Sequence, residues 1–566
     1  MGVQEFIIFV IIAYFAVCGV VWYRGRREVR TFQENIRKNH GIKPLRNLDE
    51  TRKKWVSGYW RHFREPEMLD ETTWNDLNLD QIFSTVNHTY SAVGEEYLYF
   101  LLHNTAQSAE ELAHFEELVE FWEKHPQERV TLQTQLWQLG YSGGQSVADC
   151  IENLDLLRDF RVRQDLLIDA LYLPAILLTA VSGQGFLLLI CVMIAQILLY
   201  FRQKSEIQPF MSSFAYFAKL LAFVDRLDKI KNREPAVAGE IDGLKRAARA
   251  LRPMMQGSFL LKDGSLGGGT PMDGILDYLR MCTHADILRF HRMLKYVYRY
   301  QDELWVLAGG VGRLDASASV CAYRHTCGDW CVPVIGEVFV MENGRYPLLK
   351  EPVGNSITGE KSVLLTGSNA SGKSTFLRTV AVNAVFAQTI HTCLCASYTA
   401  PLYRIYSSLS LKDDVINGDS YYMVEIKTLK RILDSARTPG RPVLCFLDEV
   451  LRGTNTPERI SASSQILRWL SEQNCLSFAA THDLELVDIL SEEYAHYHFT
   501  ESFDGGDVRF TYQLKPGRSE SRNAIRLLER MGYPEEITAA AHKLCSEILA
   551  ENHKFRSAFG NHNSFT

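Results

Sequence analysis

The sequence predicts an α/β domain joined to an all-α core and to three membrane-spanning helices. Three observations carry this expectation. A strand-like run, Val363-Leu-Leu-Thr, enters a glycine-containing loop and then a helical pattern, and further buried-strand runs follow it. From residue 77 to about 330, apolar residues recur at helical spacing and no strand-rich stretch appears. Three apolar runs, Phe6 to Tyr23, Leu166 to Val181 and Phe186 to Phe201, approach the length a bilayer demands.

A chain of 566 residues has room for several domains. A net charge of −6 argues against a dedicated nucleic-acid binder, while leaving local basic patches open. The twelve cysteines form no paired framework, which points to a reducing compartment. Cys321, Cys327 and Cys331 cluster most closely, but their spacing fits no common zinc pattern, so they read as ordinary buried cysteines.

The first apolar run ends in Trp22 and Tyr23, followed at once by Arg24, Arg26 and Arg27. Interface aromatics and basic residues in that order place the N-terminus outside and Arg24 onward in the cytoplasm. No basic region precedes the run and no small-residue cleavage site follows it, so an uncleaved anchor is expected rather than a signal peptide. The other two runs are separated only by Ser182-Gly-Gln-Gly185 and read as a tight helical hairpin. Arg161 and Arg163 before it, and Arg202 and Lys204 after it, keep both outer ends on the cytoplasmic side. The expected layout is a 1–23 anchor, a 24–76 basic segment, a helical core in two parts (77–165 and 202–325) around a 166–201 hairpin, a 326–550 α/β domain with C-terminal helices, and a 551–566 tail.

Between Arg24 and Arg64 thirteen Lys/Arg stand against four Asp/Glu, with Trp55, Tyr59 and Trp60 interleaved. A basic, aromatic segment beside a membrane helix most simply lies on an anionic lipid bilayer. Contact with DNA is the alternative. Tyr141-Ser142-Gly143-Gly144-Gln145 looks like a transporter signature but lies far upstream of the glycine-rich loop, so it reads as a turn.

The loop itself is Gly367-Ser368-Asn369-Ala370-Ser371-Gly372-Lys373-Ser374-Thr375, the GxxxxGK[ST] pattern between a strand and a helix. Gly367 and Gly372 free the backbone to turn its N–H groups toward phosphate oxygens, and the helix adds its positive N-terminus. Lys373 is placed for the β/γ-phosphates and Ser374 for Mg²⁺, so ATP and Mg²⁺ are the expected ligands. Downstream, Val443-Leu-Cys-Phe-Leu-Asp448-Glu449 is a buried strand ending in two acids. Asp448 would hold Mg²⁺, and Glu449 would polarise an attacking water. Another strand, Leu476-Ser-Phe-Ala-Ala, ends in Thr481-His482-Asp483, which sets His482 to sense the γ-phosphate.

Together these stretches resemble the ATPase domain of the MutS family of DNA mismatch repair proteins. The likeness is carried by Gly344-Arg-Tyr-Pro, Thr366 through Thr375, Asp413-Asp through Ser420, Met423-Val-Glu, Leu447-Asp-Glu-Val-Leu-Arg-Gly-Thr-Asn-Thr, Ala480-Thr-His-Asp and Tyr512-Gln-Leu-Lys-Pro-Gly517. The helical stretch from Leu79 to Leu102 is similar to the family's lever core, and Ser521 through Glu536 to its dimerising closing helices. The resemblance implies an ABC-type P-loop ATPase acting as a homodimer with two composite sites. It also implies that Asn369 touches nucleotide, that Ser420 reaches the partner's γ-phosphate, and that ATP state sets the angle of two lever arms.

The departures matter equally. Ala370-Ser371-Gly372 stands where the family usually has Met-Gly-Gly. The stretch before residue 77 is short and partly apolar, so the mismatch-reading domain is not expected, and an apolar hairpin lies where the DNA clamp would emerge. Three outputs for the ATP cycle follow: DNA binding or repair at a membrane, a membrane switch without DNA, and transport, the last disfavoured by so few helices.

Overall fold

The computed structural model of the chain describes residues 3–42, 47–154, 170–182, 185–255, 281, 284–368, 371–409, 421–504, 507–518, 525, 528–529 and 531–559. The chain forms two compact units.

The first unit comprises Met1–Met68, Asn78–Gly328 and Gln388–His391. Its regular elements, among the described residues, are all helices. The helices that matter below are α1 (Val3–Lys38), α2 (Ala92–His103), α3 (Ala109–Lys124), α4 (Tyr172–Ser182), α5 (Gly185–Arg226) and α6 (Gln301–Arg324). Local sequence explains their starts. Ser108 and Glu111 form a reciprocal capping box at α3. Ser91 caps α2 through the Gly94 N–H. The Ser91 and Tyr90 N–H groups donate to Asp315 of α6 at 2.9 and 3.1 Å. Close packing of α2 on α6 requires two glycines. A Cβ on Gly94 would lie 2.0 Å from Asp315 Oδ2, and one on Gly312 would lie 2.5 Å from Tyr97 Cβ. Most of α6 from Leu314 to Arg324 is buried, so it is the axis of this core. Glu96 is fully enclosed and accepts from Ser146 Oγ and from the Val147 and Ala148 N–H groups. Burial pushes its carboxyl up to about 8 despite those bonds.

The apolar runs fall on helices. Phe6 to Tyr23 and the arginines after it share one unbroken 36-residue helix, α1. At the far end of α1, Ile36 is buried and Phe32 stacks on Trp137, ring centroids 4.4 Å apart. The start of the hairpin, with Arg161, Arg163 and Leu166, lies outside the described residues; α4 begins at Tyr172. Among the described residues one helix is long and apolar enough to cross a membrane, Gly185–Ser205, and Tyr172–Val181 is a shorter apolar helix. The second run does not stop at Phe201 as expected. It continues into the core as the 42-residue α5, which is roughly 63 Å long at the α-helical rise. Its first half exposes Phe186, Leu187, Met193 and Leu198, whereas its second half buries Phe214, Tyr216, Phe217 and Val224. Tyr141 to Gln145 is a turn, with Gly143 and Gly144 at φ 73° and 88°.

The second unit comprises Leu69–Leu77, Asp329–Ala387 and Thr392–Thr566. Its strands are β1 (Val334–Ile335), β2 (Phe339–Gly344), β3 (Asn355–Gly359), β4 (Ser362–Thr366), β5 (Ser397–Ala400), β6 (Arg404–Ser408), β7 (Val443–Asp448), β8 (Cys475–Ala480), β9 (Tyr494–Asp504) and β10 (Asp507–Pro516). A six-stranded sheet runs β10-β9-β4-β8-β7-β6, and a four-stranded one runs β1-β5-β2-β3. Strands β9, β4, β8, β7 and β6 are mutually parallel; β10 folds back antiparallel on β9. Every residue of β4 is buried, as a strand covered on both faces must be. The covering helices are α7 (Lys373–Thr389), α8 (Tyr421–Arg437) and α9 (Thr456–Ser471). Leu429, Ile432, Leu467 and Leu470 pack with Leu364, Cys445 and Leu447 of the sheet in one apolar cluster. The edge strand β6 is closed by the Leu69–Leu77 segment. Asp76 Oδ2 accepts from Ser407 Oγ at 2.7 Å and from the Leu409 N–H at 2.9 Å.

Candidate nucleotide-binding site

Three loops leave the carboxyl ends of adjacent parallel strands, where open α/β sheets place ligands. β4 ends at Thr366, β7 at Asp448 and β8 at Ala480, and the pairings Asp448 with Ala480 and Leu365 with Ala480 hold these ends level. A cavity of about 630 Å³ opens there, lined among others by Ser368, Gly372, Lys373, Ser374, Asp448 and Glu449. Thr375 lines it as well.

Gly367 and Gly372 adopt φ 145° and 108°, which an L side chain rarely takes. Lys373 Nζ donates to the carbonyls of Gly367 at 2.7 Å and Ser368 at 2.9 Å. The ammonium is thus folded onto its own loop, at the mouth of the cavity. Ser371 Oγ is buried with no hydrogen-bond partner among the described residues, a cost that a phosphate acceptor would relieve. Ser374 Oγ donates to Asp448 Oδ2 in a short contact. Burial is the main influence on Asp448 and lifts its carboxyl above the usual range, against the Ser374 bond and with the help of neighbouring Glu449. A hydroxyl and a half-buried carboxylate in contact, beside a glycine-containing loop at a strand end, fit Mg²⁺. Asn369, Ala370 and Ser420 lie outside the described residues, as does Asp413.

Glu449 is held in a left-handed backbone conformation at φ 56°, and Leu451 two residues later at φ 59°. Such strain in non-glycine residues persists where surroundings over-determine it. Here the Glu449 N–H donates to Ala480 O at 2.9 Å. Its side chain sits between Arg452, whose Nε is 2.5 Å from Oε2, and His482, whose Nδ1 is 3.2 Å from Oε1. The His482 bond, ahead of burial, holds the Glu449 carboxyl below its ordinary range, and the same bond raises the His482 imidazole. The two influences agree in sign and describe an ionised acid beside a basic histidine. His482 itself is held by its strand, through the Thr481 N–H donating to Leu365 O at 2.9 Å. The next residue, Asp483, is clamped by Arg459 at 2.8 and 2.9 Å.

The structure adds Asn355 and Phe499, which lie in no quoted stretch, and gives a place to Tyr346, Tyr512 and Glu425, which the resemblance quoted without a role. Tyr346, Asn355, Phe499 and Tyr512 line the cavity. Tyr512 sits at φ 54°, at a bulge between β9 and β10. Asn355 fixes it by donating from Nδ2 to Tyr512 O at 2.9 Å and accepting from the Leu514 N–H at 2.7 Å. A Cβ on Gly372 would meet the Tyr512 ring at 3.1 Å. Glu425, in α8, is 2% exposed and accepts from the Arg452 N–H at 3.2 Å. It therefore fixes the loop that carries Arg452. Each of these contacts joins segments far apart in the chain, so the quoted stretches at Gly344-Arg-Tyr-Pro, Met423-Val-Glu and Tyr512-Gln-Leu named three of these residues but none of their contacts.

The His482–Glu449 pair carries a testable pH dependence. A raised imidazole pKa means that the pair is complete below that value and is lost as pH rises through it. If His482 supplies a charged donor to the cavity, turnover should fall on the alkaline side at a pKa above the ordinary imidazole range. His482→Asn should lower turnover on the order of 100-fold and remove that limb. A variant profile with the same alkaline limb would assign it elsewhere.

The comparisons with known proteins agree with this geometry. The family model described as MutS domain V matches residues 363–549. The DNA mismatch repair protein MutS of Natronomonas pharaonis is 30% identical over 270 residues, which is 45% of this chain and 31% of that protein. The Thermus thermophilus DNA mismatch repair protein MutS is 30% identical over 247 residues, covering 42% of this chain and 30% of its own length. Human MutS protein homolog 4 is 28% identical over 292 residues, or 48% of this chain and 31% of that protein. The matches thus span about a third of each relative. The matched segment carries Lys373, Ser374, Asp448 and Glu449 of the cavity, and over that stretch the chain is similar to domain V of MutS proteins.

Proposed function

We propose that this protein is a membrane-anchored ATPase that closes as a homodimer on ATP and reopens on hydrolysis. The observation that carries the reading is the convergence of Lys373, Ser374, Asp448 and Glu449 on one cavity at the strand ends, with His482 held against Glu449. Lys373 and the loop N–H groups would take the β/γ-phosphates, and the aromatic rings of Tyr346, Phe499 and Tyr512 would take the base. Mg²⁺ between Ser374 and Asp448 would neutralise developing phosphate charge. Glu449, ionised and held by His482 and Arg452, orients and deprotonates the attacking water. Arg452 must leave Glu449 for this, and the γ-phosphate is a natural new partner for its guanidinium.

α1, α4 and the first half of α5 supply the anchor in this reading, with their exposed apolar residues facing lipid. The names of the relatives favour DNA metabolism as the output, with the two lever cores gripping DNA. A membrane switch without DNA is the second reading, favoured by α5, which carries one apolar half and one core half on a single helix.

The test is ATP hydrolysis by the detergent-purified chain, with and without duplex or branched DNA, beside Lys373→Ala. Loss of the ammonium should weaken nucleotide binding roughly 10- to 100-fold, the range of a charge-assisted hydrogen bond. Turnover that rises with DNA and falls with salt supports the DNA reading. DNA-indifferent turnover that responds to anionic vesicles supports the switch. Turnover equal in the native chain and in Lys373→Ala would overturn the ATPase itself.

A further inference from the structure

Three metal-ligating side chains meet in the helical unit, where α6 ends. Cys321 and His325 are four residues apart across that helix terminus, so they share one face. His40 comes from the turn after α1. One donor atom from each of the three lies within 4.8 Å of the others. The His40 and His325 rings approach to 4.4 Å between centroids at 66°. Gly41 permits this approach. It adopts φ 82°, and a Cβ there would lie 2.9 Å from Ala322 O and 3.1 Å from His325 Cβ.

The donors are open to a metal. His40 Nε2 is buried with no hydrogen-bond partner among the described residues, which is costly unless something occupies it. A ring nitrogen left open in this way is the atom an imidazole offers to a metal. Arg129 Nη1 donates to Cys321 Sγ at 3.6 Å. That cationic donor would stabilise a thiolate once a metal displaces the proton. His325 is exposed, which gives a metal a route in.

We propose that His40, Cys321 and His325 bind one Zn²⁺ ion, with the fourth position left to water and the Cys321 proton released to solvent. Two imidazoles and a thiolate suit Zn²⁺ rather than Mg²⁺ or Ca²⁺. Bonds of about 2.0–2.1 Å to nitrogen and 2.3 Å to sulfur place tetrahedral ligand atoms roughly 3.4–3.6 Å apart. Small side-chain rotations would close the present cluster to that size. The ion would staple the end of α1, the helix that carries the N-terminal apolar run, to the core axis α6. Sequence spacing alone could not show this, because Cys321 pairs with histidines rather than with Cys327 and Cys331.

The test uses the full chain in detergent, stripped with chelator and free of nucleotide. Zn²⁺ is titrated against a chromophoric competitor, and Co²⁺ is added separately as a spectroscopic probe. The expected result is one tight site per chain, with a Co²⁺ spectrum showing tetrahedral d–d bands and a thiolate charge-transfer band. His325→Ala, at an exposed position, should weaken Zn²⁺ binding roughly 100-fold or more while leaving the metal-free melting curve unchanged. Cys321→Ser should abolish the charge-transfer band. Zn²⁺ binding that is equally tight in the native chain and in the triple variant His40→Ala, Cys321→Ser, His325→Ala would overturn the site, as would a Co²⁺ complex without thiolate character.

Discussion

Glu449→Gln is expected to bind ATP as the native chain does and to turn it over on the order of 100- to 10,000-fold more slowly, the usual contribution of a positioned general base. The substitution keeps the shape of the side chain and one acceptor oxygen, so the strained backbone at φ 56° and the N–H bond to Ala480 need not change. What it removes is the charge. In the native chain that charge is sustained by His482 at 3.2 Å and Arg452 at 2.5 Å, and the His482 bond holds the carboxyl below its ordinary range. An amide cannot accept the proton of the attacking water at neutral pH. Nucleotide affinity measured by equilibrium binding, beside single-turnover hydrolysis, separates the two effects. The role assigned to Glu449 fails if the variant hydrolyses ATP within a few-fold of the native rate. Loss of binding together with turnover would instead mean that Glu449 holds the loop rather than the water.

The parts of the site that could be read from the sequence are those whose chemistry is written in consecutive residues. Gly367 through Thr375 must be contiguous to wrap a phosphate, and Asp448-Glu449 must follow a buried strand to reach it. The walls of the cavity have no such signature. Asn355 and Tyr512 meet only because β10 returns antiparallel beside β9 and its bulge turns Tyr512 toward Gly372. The same reason hides the continuity of α5 past Phe201, although helical spacing from Phe214 onward is legible. Arg202, Lys204 and Glu206 interrupt the apolar run and suggest an end, yet a helix needs only its own i to i−4 bonds to continue. Burial of Phe214, Tyr216 and Phe217 then carries it into the core. Likewise the residues 69–77 look like the end of a basic segment. Their place in the α/β unit comes from Asp76 and Thr73 bonding Ser407, a partner more than three hundred residues away.

Arg324→Met is expected to destabilise the helical unit by about 3–5 kcal/mol, because it takes the arginine from a buried carboxylate. Arg324 at the end of α6 is 2% exposed and grips Glu116 of α3 through two bonds of 2.7 and 2.6 Å. It also donates to His391 O at 3.0 Å, while His391 Nδ1 lies 3.1 Å from the same carboxylate. Burial works to raise the Glu116 pKa, but the Arg324 and His391 bonds outweigh it and leave the carboxyl below its usual range. The sign of the pH dependence follows. In the native chain this group contributes stability that is present above the unfolded pKa and lost as pH falls through the folded one. With methionine at 324, burial dominates, the folded pKa rises, and acidification should then favour the folded state at this site. The gap between variant and native should therefore narrow as pH falls. At neutral pH the unfolding midpoint should drop by roughly 10 °C for a unit of this size. Removing the acid as well, in Arg324→Met with Glu116→Gln, should recover part of that loss, because no unpaired charge remains. A gap that stays constant across the acid range, with no recovery in the double variant, would show that Arg324 acts through packing of its stem rather than through the ion pair.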